Sequence, residues 1–290
     1  MKLEGTVVAA HGRHYLVELP DGGALPCFPR GKKSELACGD RVSIVRSGAA
    51  QGVIEAILPR RTLLYRSNAF RQKLIAANVT RLVIVVATEP AFSADLVTRG
   101  LVAAESQDID ALIVLNKCDL VDRLAAAEAA LAPFSRLGYP ILRLSARANA
   151  EALRPPLAGQ AGVLVGQSGM GKSTLINALV PGAGARTREI SQALATGRHT
   201  TTHATLYRLA DDSSLIDSPG LQEFGLHHLS PLDLAHGFRE FRPWRGCCRF
   251  RDCRHDREPG CAIRAAVEAG DIAPSRYAAF RALVEKSPPD

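Results

Sequence analysis

Short apolar runs and turn-forming residues alternate along the first part of the chain. The pattern predicts five β-strands, at 3–9, 15–19, 25–28, 41–45 and 52–58. Glycine-containing turns such as Gly39-Asp40 separate them. Five short strands in a segment of this length favour a small closed barrel of the oligonucleotide-binding (OB) type. A barrel with a purely structural role is the alternative.

From residue 78 the apolar runs become continuous and alternate with helical patterns, which indicates a parallel sheet covered by helices. The predicted strands lie at 82–86, 111–115, 141–144, 162–165 and 215–216, and the predicted helices at 95–106, 122–137 and 172–180. The chain from residue 228 onward is instead rich in arginine and cysteine and ends in helical stretches near 263–269 and 274–286. The predicted fold class is therefore multidomain, with an OB-type β-barrel at 1–65, a central α/β domain at 66–227 and a metal-binding α-helical domain at 228–290.

A phosphate-binding loop (P-loop) of the form Gly-x-x-x-x-Gly-Lys-Ser follows one predicted strand and opens a helix. Its glycines let backbone N–H groups and the helix N-terminus face phosphates. We expect Lys172 to reach the β- and γ-phosphates, and so to take part in catalysis, and Ser173 to bind Mg²⁺. The predicted nucleotide-binding residues of this loop are Gly166, Gln167, Ser168, Gly169, Met170, Gly171, Lys172, Ser173 and Thr174.

The motif Asn116-Lys-Cys-Asp119 ends a predicted buried strand, at the edge where parallel sheets bind ligands. An aspartate there can accept hydrogen bonds from N1–H and the 2-amino group of guanine, a pair of donors that adenine lacks. Backbone N–H groups of a second loop would meet guanine O6. The predicted base-binding residues are Asn116, Lys117, Asp119, Ser145 and Ala146. This motif precedes the P-loop, which reverses the order in ordinary guanine-nucleotide switches and indicates a circular permutation. An ATP-using enzyme is the alternative.

The segment Asp217-Ser-Pro-Gly220 follows the last predicted strand of the sheet. We expect Asp217 to hold Mg²⁺ through water and the Gly220 N–H to sense the γ-phosphate during catalysis. The next residue, Leu221, stands where a water-positioning glutamine often follows, and a leucine cannot orient water. This predicts slow intrinsic hydrolysis, with the missing group supplied by another residue or by a partner.

A polar loop at 197–202 lies between the P-loop helix and Asp217, where a switch loop supplies a second hydroxyl for Mg²⁺. One of Thr200, Thr201 and Thr202 is expected to be that ligand, and the sequence does not choose among them. His199 is a candidate for the group that positions the attacking water. A contact to phosphate or RNA and a solvated loop histidine are the alternatives for His199.

The composition leaves the predicted domains unchanged, but it indicates where the protein acts and what kind of partner it binds. The 290 residues are 47% hydrophobic, an ordinary globular proportion, and carry a formal net charge of +7. No apolar run approaches the about 20 residues of a membrane span, and no signal-peptide pattern opens the chain. We therefore expect a cytoplasmic protein whose seven cysteines serve metal binding or catalysis rather than disulfides. The positive charge favours nucleic acid over a membrane as partner.

Four soft or borderline metal ligands fall within fourteen residues, Cys248, Cys253, His255 and Cys261. A Cys₃His set is a closed structural zinc site without an open position for catalysis. Cys247 adjoins Cys248 and is an alternative ligand. Arginines and aromatic residues surround the cluster, at Arg239, Arg242, Arg245, Arg249, Arg251, Arg254 and Arg257, with Phe238, Phe241, Trp244 and Phe250. This combination suits RNA backbone contact and base stacking. A solvated charged face and a small aromatic core are the alternatives.

Taken together, these motifs resemble the circularly permuted, ribosome small subunit-dependent GTPase A family (RsgA, also called YjeQ). The segments that carry the resemblance are 78–79, 90–93, 116–120, 166–177, 197–202, 217–220 and the Cys/His cluster. The resemblance implies an N-terminal barrel, a permuted GTPase domain and a C-terminal zinc domain. It also implies late maturation of the small (30S) ribosomal subunit, with GTP hydrolysis stimulated by that subunit.

The main hypothesis is a Mg²⁺-dependent GTP hydrolase with one structural Zn²⁺, for which GTP is substrate and GDP product. It would bind ribosomal RNA of the small subunit through its barrel and zinc domains, as a monomer and without a membrane. The alternative is a nucleotide-gated RNA-binding module in which hydrolysis is incidental. A further hypothesis is that residues 221–241 report the nucleotide state to the zinc domain.

Overall fold

The computed structural model describes residues 2–31, 35–48, 50–67, 72–184, 204–210, 212–218 and 225–287. Several predicted site residues lie outside these ranges, namely His199, Thr200, Thr201, Thr202, Gly220 and Leu221. The roles of these residues stay predictions.

The N-terminal strands form a closed five-stranded barrel, as predicted. They are β1 (Lys2–His11), β2 (His14–Glu18), β3 (Ala24–Pro29), β4 (Arg41–Arg46) and β5 (Gly52–Ile57). The strands pair in the order β1-β2-β3-β5-β4, and the barrel closes because β1 also pairs with β4. Alternate side chains fill the interior, including Val7, Val17, Val42 and Ile44, which are fully buried.

The central domain contains a sheet flanked by helices, also as predicted. Its strands are β8 (Arg81–Ala87), β9 (Asp110–Asn116), β10 (Ile141–Arg143), β11 (Ala161–Val165), β12 (Ala204–Arg208) and β13 (Ser214–Asp217). They lie in the order β10-β9-β8-β11-β13-β12, parallel except for β12. The helices are α1 (Ala94–Glu105), α2 (Val121–Arg136), α3 (Arg154–Leu157) and α4 (Lys172–Leu179). In the described part of the chain, no helix has the length and apolar character of a membrane span.

Besides β12 and α3, two further features of this region were not predicted from the sequence. An antiparallel hairpin, β6 (Leu63–Ser67) and β7 (Gln72–Ala77), separates the barrel from the central sheet. In addition, β1 of the barrel pairs with β12 of the central sheet, at Ala9 opposite Thr205 and Ala10 opposite Ala204. The barrel and the central domain therefore share one continuous hydrogen-bonded sheet.

The C-terminal module is built on an aromatic core. It contains α5 (Pro231–His236), a 3₁₀ turn (Arg239–Trp244), α6 (Ala262–Ala269) and α7 (Pro274–Val284). Phe238, Phe241 and Phe280 are buried against one another, with ring centroids 5.1–5.5 Å apart. Base stacking by Phe238 and Phe241 is therefore wrong as a prediction, since these rings form the core of the module.

The module is docked on α1 by buried charges. Arg239 and Arg242 both pair with Glu105, whose side chain is only 9% exposed. Arg276 binds Glu240 at 2.6 Å and the Thr98 hydroxyl at 2.6 Å. Because removal of one partner would leave a buried or partly buried charge without its counter-ion, these contacts hold the module on the helix.

Candidate functional site: a nucleotide pocket and a metal cluster

A cavity of about 500 Å³ opens at the carboxyl ends of the parallel strands. The residues that line it come from three predicted motifs: Asn116, Lys117, Asp119, Leu120, Ser145, Ala146, Arg147, Ser168, Gly169, Gly171, Lys172, Ser173 and Thr174. The fold thus brings the base-reading motif and the P-loop into one pocket, although they are far apart in the chain. Its size suits a nucleotide.

The P-loop backbone requires glycine at two positions in particular. Gly166 has φ +150°, and a Cβ there would lie 2.2 Å from the Val85 carbonyl oxygen. Gly171 has φ +88°, and a Cβ there would lie 2.3 Å from Asn116 Nδ2. Side chains are therefore excluded where the loop leaves β11 and where it enters α4.

Lys172 and Asp217 are two partly buried groups of opposite charge that attract each other. The Lys172 ammonium donates hydrogen bonds to the carbonyl oxygens of Gly166 at 2.6 Å and Gln167 at 2.8 Å. Burial lowers the pKa of Lys172 and raises that of Asp217, and the attraction between the two charges opposes both shifts. Keeping an ammonium group and a carboxylate partly away from water costs free energy. Two such groups that attract each other are typical of a site that binds a phosphate and a cation. Ser173 lies exposed at the start of α4, and hydroxyl and carboxylate oxygens such as those of Ser173 and Asp217 are ligands that Mg²⁺ prefers.

Asn116 joins three loops from a nearly fully buried position. Its side-chain amide donates to the Met170 carbonyl oxygen at 2.8 Å. Its side-chain oxygen accepts hydrogen bonds from the backbone N–H of Lys117 at 2.8 Å and of Ala146 at 2.9 Å. Asn116 therefore connects the predicted base-reading loops to the P-loop through hydrogen bonds. The sequence motif did not reveal this role.

The predicted base-reading face consists of Asp119 and the loop after β10. A hydrogen bond from the Ser145 hydroxyl is the main cause that lowers the pKa of Asp119. The Ser145 N–H in turn donates to the Asn149 side-chain oxygen at 2.7 Å. Sequence reasoning missed Asn149, since it lies beyond the recognisable loop motif and shows its role only through this contact.

The predicted metal ligands come together at one point. The ligand atoms of Cys248, Cys253, His255 and Cys261 all lie within 4.8 Å of one another. His255 Nδ1 is 3.6 Å from the Cys248 sulfur and 3.4 Å from the Cys261 sulfur. Tetrahedral zinc with bonds of about 2.0–2.3 Å would bring its ligand atoms to similar separations. The set therefore fits zinc.

The surroundings of the thiols distinguish the ligands of the cluster from the remaining cysteine, Cys247. Burial raises the pKa of the thiols of Cys253 and Cys261, so only a bound cation would hold them as thiolates. Cys247 is exposed, and its sulfur lies near backbone carbonyl oxygens of Pro243 and Arg245 instead. Of the two adjacent cysteines, the geometry places Cys248 in the cluster.

The arginines around the cluster divide into two groups. Arg239 and Arg242 are used in docking on α1, whereas Arg249, Arg251 and Arg257 are exposed. Within the described ranges no acidic side chain pairs with these three. Phe250 is 41% exposed, and the Arg249 guanidinium lies 5.5 Å from its ring centroid.

Comparison with known proteins extends across nearly the whole chain. Residues 57–227 match the model of the RsgA GTPase family. The chain is 54% identical over 291 residues to "Small ribosomal subunit biogenesis GTPase RsgA" of Burkholderia pseudomallei (strain K96243), covering 99% of this chain and 93% of that protein. It is likewise 54% identical over 288 residues to the protein of the same name from Bordetella pertussis (strain Tohama I), covering 98% and 96%.

Solved structures agree with this assignment. YjeQ from Thermotoga maritima superposes with a TM-score of 0.74 at 31% identity, over 98% of each chain. YloQ, described as a circularly permuted GTPase, superposes with a TM-score of 0.71 at 24% identity, over 100% of this chain and 98% of that one, and so supports the fold. The family resemblance in the motifs is confirmed. The chain belongs to the RsgA GTPase family and is a GTPase.

Proposed function

We propose that this chain binds and hydrolyses GTP in the pocket described above and acts in the biogenesis of the small ribosomal subunit. The observation that carries the proposal is the convergence of Asp119, the Ser145 loop and the P-loop on one cavity. Relatives 54% identical over nearly the full length carry the name of a small ribosomal subunit biogenesis GTPase.

The chemistry follows from the residues around the cavity. Asp119 would accept the N1–H and 2-amino donors of guanine. Lys172 would leave its carbonyl partners for the β- and γ-phosphates, and Ser173 and Asp217 would hold Mg²⁺. The cation, when bound, neutralises charge that develops on the phosphates. The negative charge of a bound phosphate would offset the desolvation that lowers the pKa of Lys172.

The remaining catalytic roles rest on the sequence. We propose that Gly220 senses the γ-phosphate, that one of Thr200, Thr201 and Thr202 completes the Mg²⁺ site, and that His199 positions water. Leu221 cannot take that last role. Slow turnover by the isolated chain and acceleration by the ribosomal subunit follow from this arrangement.

RNA would be bound by the exposed part of the C-terminal module. Arg249, Arg251 and Arg257 present charge that no described acid neutralises, and Phe250 offers an accessible ring. The zinc-binding Cys₃His cluster would keep these side chains in place as a rigid scaffold. The closed barrel, of the OB type, would supply a second RNA-binding surface. We further propose that the chain works as a monomer in the cytoplasm, with domains at 1–65, 66–227 and 228–290.

Two measurements test the nucleotide part of the proposal. GDP should raise the melting temperature of the purified protein, whereas ADP at the same concentration should leave it unchanged. Addition of Mg²⁺ and GTP should then give slow release of phosphate that Lys172→Ala abolishes. Equal stabilisation by GDP and ADP would contradict guanine specificity. GDP binding without any phosphate release, even with small subunits present, would favour the nucleotide-gated RNA-binding module.

A further inference from the structure

The loop after β10 presents three consecutive backbone N–H groups, of Ser145, Ala146 and Arg147, beside the base-reading aspartate. The first donates to the Asn149 side-chain oxygen at 2.7 Å. The second donates to the Asn116 side-chain oxygen at 2.9 Å. In the described structure, no group accepts a hydrogen bond from the third, the Arg147 N–H. Arg147 itself lines the cavity.

Asn149 closes this loop from outside the cavity. Its backbone N–H donates to the Ser145 carbonyl oxygen at 2.9 Å, while its side chain accepts from the Ser145 N–H. Both polar groups of the Ser145 backbone are therefore bound to the same residue. Asn149 does not line the cavity, so any effect on a bound base must pass through Ser145.

We propose that Asn149 is a positioning residue for guanine recognition: it fixes the loop beside Asp119 so that the Arg147 N–H is the donor left for guanine O6. This inference rests on the proposed guanine-nucleotide site. It also refines the predicted role of Ala146, whose N–H is already taken by Asn116.

The chemistry of the base explains why such an arrangement gives specificity. Guanine presents a carbonyl acceptor at O6, whereas adenine presents an amino donor at the same position. A fixed N–H donor gains a hydrogen bond with guanine and faces another donor with adenine. A site built around a hydrogen bond discriminates strongly, because a mismatched ligand leaves a polar group unpaired. A loop free to move would lose that discrimination.

The test compares two ligands that differ in the O6 acceptor. In 6-thio-GDP a sulfur, which is a weaker acceptor, replaces O6, while N1–H and the 2-amino group remain for Asp119. Dissociation constants of GDP and 6-thio-GDP are measured for the wild type, Asn149→Ala, Asn149→Asp and, as a control on the same turn, Glu151→Ala. The melting temperature of each variant shows that it is folded.

We expect the wild type to bind 6-thio-GDP about tenfold more weakly than GDP, the worth of one hydrogen bond. In Asn149→Ala the ratio should fall toward one, mainly through weaker GDP binding. Asn149→Asp should keep the ratio, since its carboxylate still accepts from the Ser145 N–H, and Glu151→Ala should match the wild type.

Two results would overturn the inference while leaving the guanine site intact. One is GDP binding by the wild type with no penalty for 6-thio-GDP. The other is a folded Asn149→Ala variant with an unchanged ratio. A wild type that binds no GDP at all would instead contradict the proposed function itself.

Discussion

The side-chain amide of Asn116 donates a hydrogen bond to the Met170 carbonyl oxygen across 2.8 Å, although 54 residues separate the two in the chain. This contact holds the end of a base-reading strand against the phosphate loop. It depends on spatial neighbours alone, so it is indifferent to the order in which the two motifs occur. The permuted chain can therefore keep an intact nucleotide site.

Removal of the Asn116 hydrogen bonds should lower both the stability of the fold and the affinity for GDP. Asn116→Ala deletes one donated and two accepted hydrogen bonds at a buried position. We expect the free energy of unfolding to fall by about 2–4 kcal/mol and GDP affinity to fall by at least tenfold. Asn177→Ala, on the exposed side of α4, should cost less than about 0.5 kcal/mol. Urea denaturation and GDP titration measure both effects, and equal costs for the two variants would contradict the role of Asn116.

The charged contact between α1 and the C-terminal module should be important for stability. Glu105→Gln keeps the shape of the side chain but leaves Arg239 and Arg242 without their carboxylate. We expect a loss of about 2–3 kcal/mol, below the value for fully buried pairs because both arginines are partly exposed. The matched control is Glu151→Gln, whose exposed pair with Arg154 should contribute within about 0.5 kcal/mol. A Glu105→Gln variant as stable as the control would refute this docking role.

The two adjacent cysteines should differ in metal binding. Cys253→Ser removes a ligand of the Cys₃His cluster, and we expect the zinc content of the purified protein to fall from one ion per chain to near zero. Cys247→Ser should retain one zinc ion, since that thiol lies outside the cluster. Elemental analysis after dialysis measures both. Loss of zinc in the Cys247 variant would show that the ligand assignment is wrong.

His228 should make the protein less stable in acid. Burial lowers the pKa of His228 from 6.5 to about 4, with a further decrease from the His227 charge against an opposing increase from Asp233. Its ring packs on Tyr65, with centroids 4.0 Å apart. His228 therefore becomes protonated near pH 6.5 in the unfolded chain but only near pH 4 in the folded chain. Its contribution to stability is complete above pH 6.5 and is lost as the pH falls toward 4.

A substitution isolates this contribution. In His228→Gln the difference in unfolding free energy between pH 6.5 and pH 4 should shrink by about 1–2 kcal/mol, less than the full shift implies because the ring is partly exposed. Chemical denaturation across this pH range measures it. Parallel stability curves for the wild type and the variant would show that His228 does not titrate in this way.

The sequence was most informative where one strand or one motif carries its own pattern. The buried runs of β8 and β9 and the glycines of the P-loop each have a local physical cause. By contrast, β12 is a strand because it lies between β13 and β1, and neither partner can be inferred from the residues of β12 itself. The roles of Asn116 and Asn149 likewise depend on contacts between loops that only the fold brings together.

The partners of the arginines likewise could not be predicted from the sequence. The sequence grouped Arg239 and Arg242 with the exposed residues of the cluster, but Glu105 on a distant helix engages both. Residues 221–241, which were predicted to report the nucleotide state to the C-terminal module, begin outside the described residues. This link stays a hypothesis. The contact with α1 offers a second physical connection, because the N-cap residue Ser93 donates its backbone N–H to Gln167 of the P-loop at 3.1 Å.

GTP turnover by the purified protein, measured with and without small ribosomal subunits, tests whether the subunit takes part in hydrolysis. We predict slow hydrolysis by the protein alone and a large stimulation, of about tenfold or more, by the subunits. Arg249→Glu combined with Arg251→Glu should reduce the stimulation without changing the slow basal rate. A GTPase rate that does not change when small subunits are added would contradict a role of the subunit in GTP hydrolysis by this protein.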